Sequence, residues 1–97
     1  APIQGLFPLP GDTVVRQTAI EIDLPVGYEL DLFVDGIRIP AAEIGVTEAT
    51  GVRIWQPGPF SLFAAWTPGD HSVEISWERI GGGAVDRGEF RWTFRVV

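Results

Sequence analysis

The most constraining feature of this sequence is a strict alternation of apolar and polar residues in its C-terminal third. Within residues 71–97, every second residue is apolar in two runs, Val73–Trp77 and Phe90–Val96, and polar or charged residues fill the positions between. A period of two is typical of β-strands that bury one face. The segment between the runs contains Gly81-Gly82-Gly83. The pattern therefore predicts a β-hairpin with one apolar face, one charged face and a flexible tip.

The alternation also limits the register of this hairpin. A slip of one residue would turn every apolar side chain to the wrong face, so the apolar residues of both strands must share a side. The simplest pairing sets Trp77 opposite Phe90, Ile75 opposite Trp92 and Val73 opposite Phe94, with Glu74 diagonal to Arg91 and Arg95. The common phase of four strands further predicts a core that contains Ile22, Leu32, Ile75, Trp77, Trp92 and Phe94.

Shorter runs of the same kind precede the hairpin, each bounded by turn residues. Pro2, Pro8 and Pro10 confine the first run to the edge of a sheet, since proline cannot donate to a central ladder. Asp35-Gly36 predicts a tight hairpin turn in which both residues have positive φ. Residues 41–44 fit either one helical turn or a loop. Besides the N-terminal edge and the two hairpin strands, strands are predicted at residues 18–24, 28–34, 37–39, 51–56 and 60–66.

The predicted strands number about seven or eight, with a turn signal roughly every 8–12 residues. This spacing indicates an all-β fold, an antiparallel β-sandwich whose two sheets hide their apolar faces against each other. A length of 97 residues suits one domain, so we expect residues 1–97 to form a single sandwich. Because the sequence lacks methionine and so has no start residue, we expect it to be part of a longer protein.

Composition removes several classes of function. The net charge of −6 argues against a nucleic-acid partner, since phosphate binding needs a basic surface. The absence of cysteine excludes disulfides and thiolate metal sites. No run of about twenty apolar residues occurs, so we expect no membrane insertion.

Four short motifs stand out along the chain: Pro8-Leu9-Pro10-Gly11-Asp12-Thr13-Val14, Leu32-Phe33-Val34-Asp35-Gly36, Pro68-Gly69-Asp70-His71-Ser72-Val73 and Phe94-Arg95-Val96. These motifs resemble those of bacterial immunoglobulin-like modules, the β-sandwich domains of secreted and cell-surface proteins. The same pattern is similar to fibronectin-type-III-like linkers and to the small C-terminal domain of some penicillin-binding proteins. The resemblance implies an immunoglobulin-like sandwich without the antibody cysteine pair. It also implies a non-catalytic spacer or adhesive role outside the cell, and it supplies no binding residues.

Few residues are candidates for catalysis or metal binding. His71 is the only histidine, and we interpret it as packing at the turn that precedes its strand. One histidine without cysteine cannot build a zinc site, and no serine stands with it in a triad motif. We therefore predict a protein that is not an enzyme and has no cofactor. Calcium is the one alternative, because turn aspartates supply oxygen ligands, although they lack the dense spacing of a calcium loop: Asp12, Asp35, Asp70 and Asp86.

The binding hypothesis depends on aromatic residues. Trp77 and Trp92 are in phase with aliphatic neighbours and belong to the predicted core. Trp55 and Trp66 are less well phased, so they either cap the open ends of the sandwich or are exposed. Exposed rings stack on sugars or fill pockets on protein partners. Together with Phe63, these two tryptophans are the candidate binding residues of a carbohydrate-binding module.

Our main hypothesis is a non-catalytic spacer or protein-interaction domain of a bacterial extracellular or envelope protein, in the periplasm or at the cell surface. Unpaired sheet edges accept a partner's strand, and Ile37, Arg38 and Ile39 form the less protected edge. We expect contact with a neighbouring domain or protein there or at the turn formed by residues 55–60. The alternatives are the carbohydrate-binding module and an accessory C-terminal domain of an envelope enzyme.

Overall fold

The protein is a β-sandwich of two sheets. A computed structural model describes residues 2–82 and 86–97. Within them it contains the strands β1 (Gly5–Phe7), β2 (Thr13–Val14), β3 (Ile20–Asp23), β4 (Tyr28–Val34), β5 (Ile37–Arg38), β6 (Gly45–Thr47), β7 (Val52–Trp55), β8 (Gly69–Arg79) and β9 (Arg87–Val96). The first sheet has the strand order β1-β3-β7-β6, and the second has the order β2-β9-β8-β4-β5.

The predicted all-β sandwich is confirmed, with two differences of detail. The described residues form nine strands, more than predicted, and the pair of β2 with β9 is parallel. Pro8, Pro10 and Gly11 interrupt the N-terminal run, after which the chain leaves the first sheet and lies along the outer edge of the second. Because β2 is not joined to β9 by a hairpin turn, it can pair with β9 in the parallel direction. As the prolines predicted, β1 is an edge strand.

The hairpin of β8 and β9 is present, but its predicted register is wrong by two residues. A slip of two keeps every side chain on its own face, so the alternation cannot detect it. The same shift changes the pairing of charged residues on the outer face, so that Glu74 lies directly opposite Arg91 and not diagonal to it. The observed pairs include Val73 with Trp92, Ile75 with Phe90, Trp77 with Gly88 and Glu74 with Arg91.

The size of Trp77 explains the observed register. A Cβ atom built on Gly88 would stand 2.6 Å from the Trp77 ring, closer than non-bonded carbon atoms approach. The indole therefore occupies the space that a side chain at position 88 would need. In the predicted register the same ring would meet the large side chain of Phe90, whereas the observed register gives it room.

The core lies between the two sheets. All six residues predicted to be buried together are buried, which confirms that part of the sequence analysis. The indole N–H of Trp92 donates a hydrogen bond to the carbonyl oxygen of Pro8, 2.9 Å away, and so connects the second sheet to the chain just after β1. The buried apolar residues are Ile20, Ile22, Leu24, Leu32, Val34, Ile39, Trp55, Trp66, Val73, Ile75, Trp77, Trp92, Phe94 and Val96.

The strand predicted at residues 60–66 is wrong. This segment consists of turns and bends and carries Phe60 and Leu62 into solvent. It then places Trp66 in the core against Phe94 of β9. A segment that is apolar at both odd and even positions fits a buried strand, but it also fits an irregular segment that buries some residues and exposes others. The sequence pattern alone did not distinguish these two structures.

The turns agree more closely with the sequence. Asp35 has φ +50° and Gly36 has φ +82°, as the predicted hairpin turn between β4 and β5 requires. Residues Ala41–Glu43 form one turn of 3-10 helix, which confirms the first of the two structures expected there. The predicted flexible tip at Gly81–Gly83 lies partly outside the described residues, since Gly83 is not among them. In the described part of the chain, no helix is long and apolar enough to cross a membrane.

Candidate interaction surfaces

The two tryptophans proposed as exposed binding residues lie inside the protein. Trp55 is 2% exposed and Trp66 is 3% exposed, so neither ring offers a face to a sugar or to another protein. The exposure considered for them in the carbohydrate hypothesis is therefore wrong. Phe63, the third candidate, is half-buried and contacts the Trp55 ring at its edge, with ring centroids 6.0 Å apart.

These rings belong to an aromatic cluster that joins the sheets at one end of the sandwich. Trp66 lies at its centre, with its ring centroid 5.6 Å from that of Trp55, 5.2 Å from that of Phe94 and 4.9 Å from that of His71. All three contacts are edge-to-face, the arrangement that aromatic quadrupoles prefer. The indole N–H of Trp66 donates to the carbonyl oxygen of Thr18, 2.8 Å away. The cluster therefore fixes the irregular segment that carries Trp66.

Glu43 fixes the preceding part of the same segment. One of its carboxylate oxygens accepts hydrogen bonds from the Ser61 hydroxyl and from the Trp55 indole, the latter 3.3 Å away. The Ser61 hydrogen bond lowers the pKa of Glu43 below its usual range, and the smaller effect of burial opposes it. Sequence analysis missed this role, because Glu43 and Ser61 lie 18 positions apart and no local pattern connects them.

Residues 56–63 form a loop that contains Ser61, and we call it the Phe60 loop. Its backbone is closed by a hydrogen bond from the Gly58 N–H to the Phe63 carbonyl oxygen, 3.0 Å long. Phe60 is 98% exposed, and Leu62 is also exposed. A large apolar side chain with almost no contacts on a loop held by specific contacts is unusual, because burial would stabilise it.

His71 is fixed on both sides and has no free ring nitrogen. Its Nδ1 lies 2.7 Å from the Asp35 carboxylate, and its Nε2 lies 2.6 Å from the Thr67 carbonyl oxygen. Burial lowers the pKa of His71, but the hydrogen bonds to Thr67 and Asp35 outweigh it and raise the pKa above its ordinary value. Since both partners accept hydrogen bonds, the charged imidazolium satisfies both contacts. His71 therefore packs at the turn, as predicted, and is a structural residue.

The predicted edge strand lies at the edge of the second sheet. Ile37 is 50% exposed, and Ile39 is buried in the core. Arg38 is exposed and forms an ion pair with Asp31, with 2.8 Å between the nitrogen and oxygen atoms. Of the three candidates, the structure thus leaves Ile37 and Arg38 accessible to a partner.

The turn aspartates proposed as calcium ligands take part in separate local contacts. Asp12 accepts a hydrogen bond from the Leu9 N–H, 2.9 Å away, and Asp70 lies 3.1 Å from Arg95. Asp86 lies 4.0 Å from Arg79. Within residues 2–82 and 86–97, no three histidine, cysteine, aspartate or glutamate side chains are grouped so that they could hold a metal ion.

The architecture places the protein among two-sheet β-sandwiches, and comparison with known proteins agrees. No family model matches the sequence, and no curated protein matches it. Among solved structures, the protein is similar to CopC from Methylosinus trichosporium OB3b, with a TM-score of 0.66 and 12% sequence identity. The match covers 97% of this chain and 90% of the CopC chain. At this identity the likeness shows a common fold alone.

Proposed function

We propose that this protein is a non-catalytic, immunoglobulin-like interaction module of a larger bacterial envelope or extracellular protein, and that it contacts a protein partner through the Phe60 loop. The observation that carries the proposal is Phe60 itself, which is 98% exposed within a loop that is held by hydrogen bonds. The envelope location and the immunoglobulin-like relationship depend on the sequence motifs described above. The β-sandwich fold is consistent with both.

The physical argument is one of preorganisation. Large aromatic side chains supply much of the binding energy of protein interfaces, especially where they enter a pocket of the partner. Ser61, next to Phe60 within the loop, and Trp55, just before the loop, both donate hydrogen bonds to Glu43. Because these contacts already hold the loop, binding orders little additional chain. A smaller entropic cost leaves more of the contact energy available for affinity. Leu62, exposed on the same loop, adds apolar area beside the aromatic anchor.

The edge strand β5 is the second surface in this proposal. It has few residues and carries a charge at Arg38, both of which limit uncontrolled strand addition. A partner strand that paired there would meet the exposed side chain of Ile37. We therefore assign the anchor to the Phe60 loop and expect β5 to contribute to a larger contact.

Chemical-shift mapping with the flanking domain of the parent protein tests the proposal. We expect perturbed amide signals in the Phe60 loop, with or without β5, and loss of those shifts in Phe60→Ala. Ile80→Ala is a matched control, because Ile80 is also an exposed apolar residue but lies at the other end of β8 and should leave binding unchanged. Perturbations confined to β8 and β9 would contradict the proposal.

The same spectra test the carbohydrate alternative. Millimolar sugar that shifted the indole signals of Trp55 and Trp66 would require both rings to leave the core, and it would favour a carbohydrate-binding module instead. We expect no such shifts, because both indole N–H groups already donate hydrogen bonds within the protein.

A further inference from the structure

Strand β9 has a long free edge. It spans Arg87–Val96, but its outer neighbour β2 pairs with it only at Arg95 and Val96. The first part of β9 therefore has β8 on one side and, among the described residues, no strand on the other. An unpaired edge of this kind can accept another strand.

The hydrogen bonds near β2 show which residues of β9 face this edge. The N–H of Arg95 donates to the Asp12 carbonyl oxygen, and the carbonyl oxygen of Thr93 accepts from the Gly11 N–H, both at 2.8 Å. Backbone polar groups alternate in direction along a strand. Those of Glu89 and Arg91 consequently point to the same outer edge, where the described residues provide them with no backbone partner.

The side chains of this segment carry a self-complementary pattern. Glu89 and Arg91 are both exposed on the polar face of the sheet, and neither takes part in an ion pair among the described residues, 2–82 and 86–97. Phe90 lies between them in sequence on the opposite face, 37% exposed and stacked on Trp92 with ring centroids 5.6 Å apart.

We propose that a second copy of this chain binds along this edge, with the two β9 strands antiparallel and a two-fold axis at Phe90. Glu89 then lies opposite Arg91 of the partner subunit, and symmetry repeats the contact with the charges exchanged. Both are residues whose backbone groups face the edge, so each pair exchanges two N–H···O hydrogen bonds. Phe90 meets the partner's Phe90 on the axis, which covers apolar surface that is exposed in the single chain.

The charge pattern selects a second copy as the occupant. In an antiparallel pair centred on residue 90, every charge at positions 89 and 91 meets its opposite, and opposite charges across a strand pair are favourable. The other edge of the sheet lacks this property, since β5 has a single charged residue, Arg38. Self-pairing there would bring no opposite charge into register. The net charge of −6 on each copy opposes association, so we expect a weak and reversible dimer.

Sedimentation of the 97-residue chain across a concentration series, at near-physiological ionic strength, tests this proposal. We expect a reversible monomer–dimer equilibrium. Arg91→Glu and Glu89→Arg should each raise the dimer dissociation constant by about tenfold or more, because either change makes both symmetry-related pairs like-charged. The double variant Glu89→Arg/Arg91→Glu restores opposite charges and should return the constant to within about threefold of the original.

The two single variants control each other, because they change the net charge in opposite directions. If overall repulsion governed association, Glu89→Arg would strengthen the dimer and Arg91→Glu would weaken it, whereas the proposed register predicts that both weaken it. Arg38→Glu makes the same charge change at the opposite edge and should leave the dimer unaffected. Amide exchange adds a direct readout, with slower exchange at Glu89 and Arg91 in concentrated than in dilute protein.

A chain that stays monomeric at millimolar concentration, or a double variant that does not recover, would overturn the proposal. A dimer weakened as much by Arg38→Glu as by Arg91→Glu would also overturn it. None of these outcomes bears on the Phe60 loop, whose test measures chemical shifts of other residues.

Discussion

Truncation of Trp66 is the most informative test of how this fold is held together. The side chain is 3% exposed, lies at the centre of the aromatic cluster and donates a hydrogen bond to the Thr18 carbonyl oxygen. Trp66→Ala should cost about 3–5 kcal/mol, the usual range for a buried aromatic residue. This loss is a large part of the free energy of unfolding, which is about 5–15 kcal/mol for a typical domain. It corresponds to a fall in Tm of roughly 12–40 °C.

Trp66→Phe separates the two contributions. It keeps an aromatic ring but leaves the Thr18 carbonyl oxygen without its donor, so it should cost about 1–3 kcal/mol. Urea denaturation followed by circular dichroism measures both variants. Phe60→Ala is the control from the same segment, and because Phe60 is almost fully exposed, its stability should stay within about 0.5 kcal/mol of the parent. A loss below about 1 kcal/mol in Trp66→Ala would refute the assigned core position, since only surface substitutions are normally so mild.

Three further predictions concern the pH dependence, a backbone contact and the core. The contacts of His71 raise its pKa above the ordinary 6.5. The stability they add is therefore complete below pH 6.5 and is lost as the pH rises through the raised pKa. The urea midpoint of the parent should decrease as the pH increases, and the midpoint of Asp35→Asn should decrease less. Gly51→Ala should cost more than about 2 kcal/mol, because φ is +80° and the new Cβ would stand 1.9 Å from a backbone carbonyl oxygen. Gly36→Ala, with φ +82° and open space, should cost clearly less, and equal losses would contradict the clash. Trp92→Ala should cost about 3–5 kcal/mol, and an unchanged thermal midpoint would show that its ring is not in the core.

The long alternating strands and the six core residues predicted from them follow from local patterns. Period-two alternation identifies β4, β8 and β9, because a half-buried strand needs an apolar residue at every second position. The Asp35-Gly36 turn is equally local, since positive φ at consecutive residues restricts the choice of amino acid. The prolines of the N-terminal run restrict it to an edge for the same kind of reason.

The candidate site was much harder to predict. The Phe60 loop depends on the contact of Glu43 with Ser61, which lie far apart in the sequence. The prediction of a strand at residues 60–66 was wrong because a continuous apolar segment has the same sequence pattern whether it pairs in a sheet or crosses the end of the core. The sequence left open whether Trp55 and Trp66 cap the ends of the sandwich or are exposed. Trp55 ends β7 and Trp66 lies outside any strand, so strand phase did not decide either position.

The sequence by itself determined which residues of the alternating strands face inward and where the Asp35-Gly36 turn lies, because both depend on neighbours along the chain. Only the tertiary structure decided the register of β8 on β9. The alternation restricts that register to steps of two, and the choice among those steps depends on whether a neighbouring strand has room for a given side chain. Trp77 fits over Gly88, where a Cβ atom would lie 2.6 Å from the ring. Steric fit between distant segments settles what a periodic pattern leaves open.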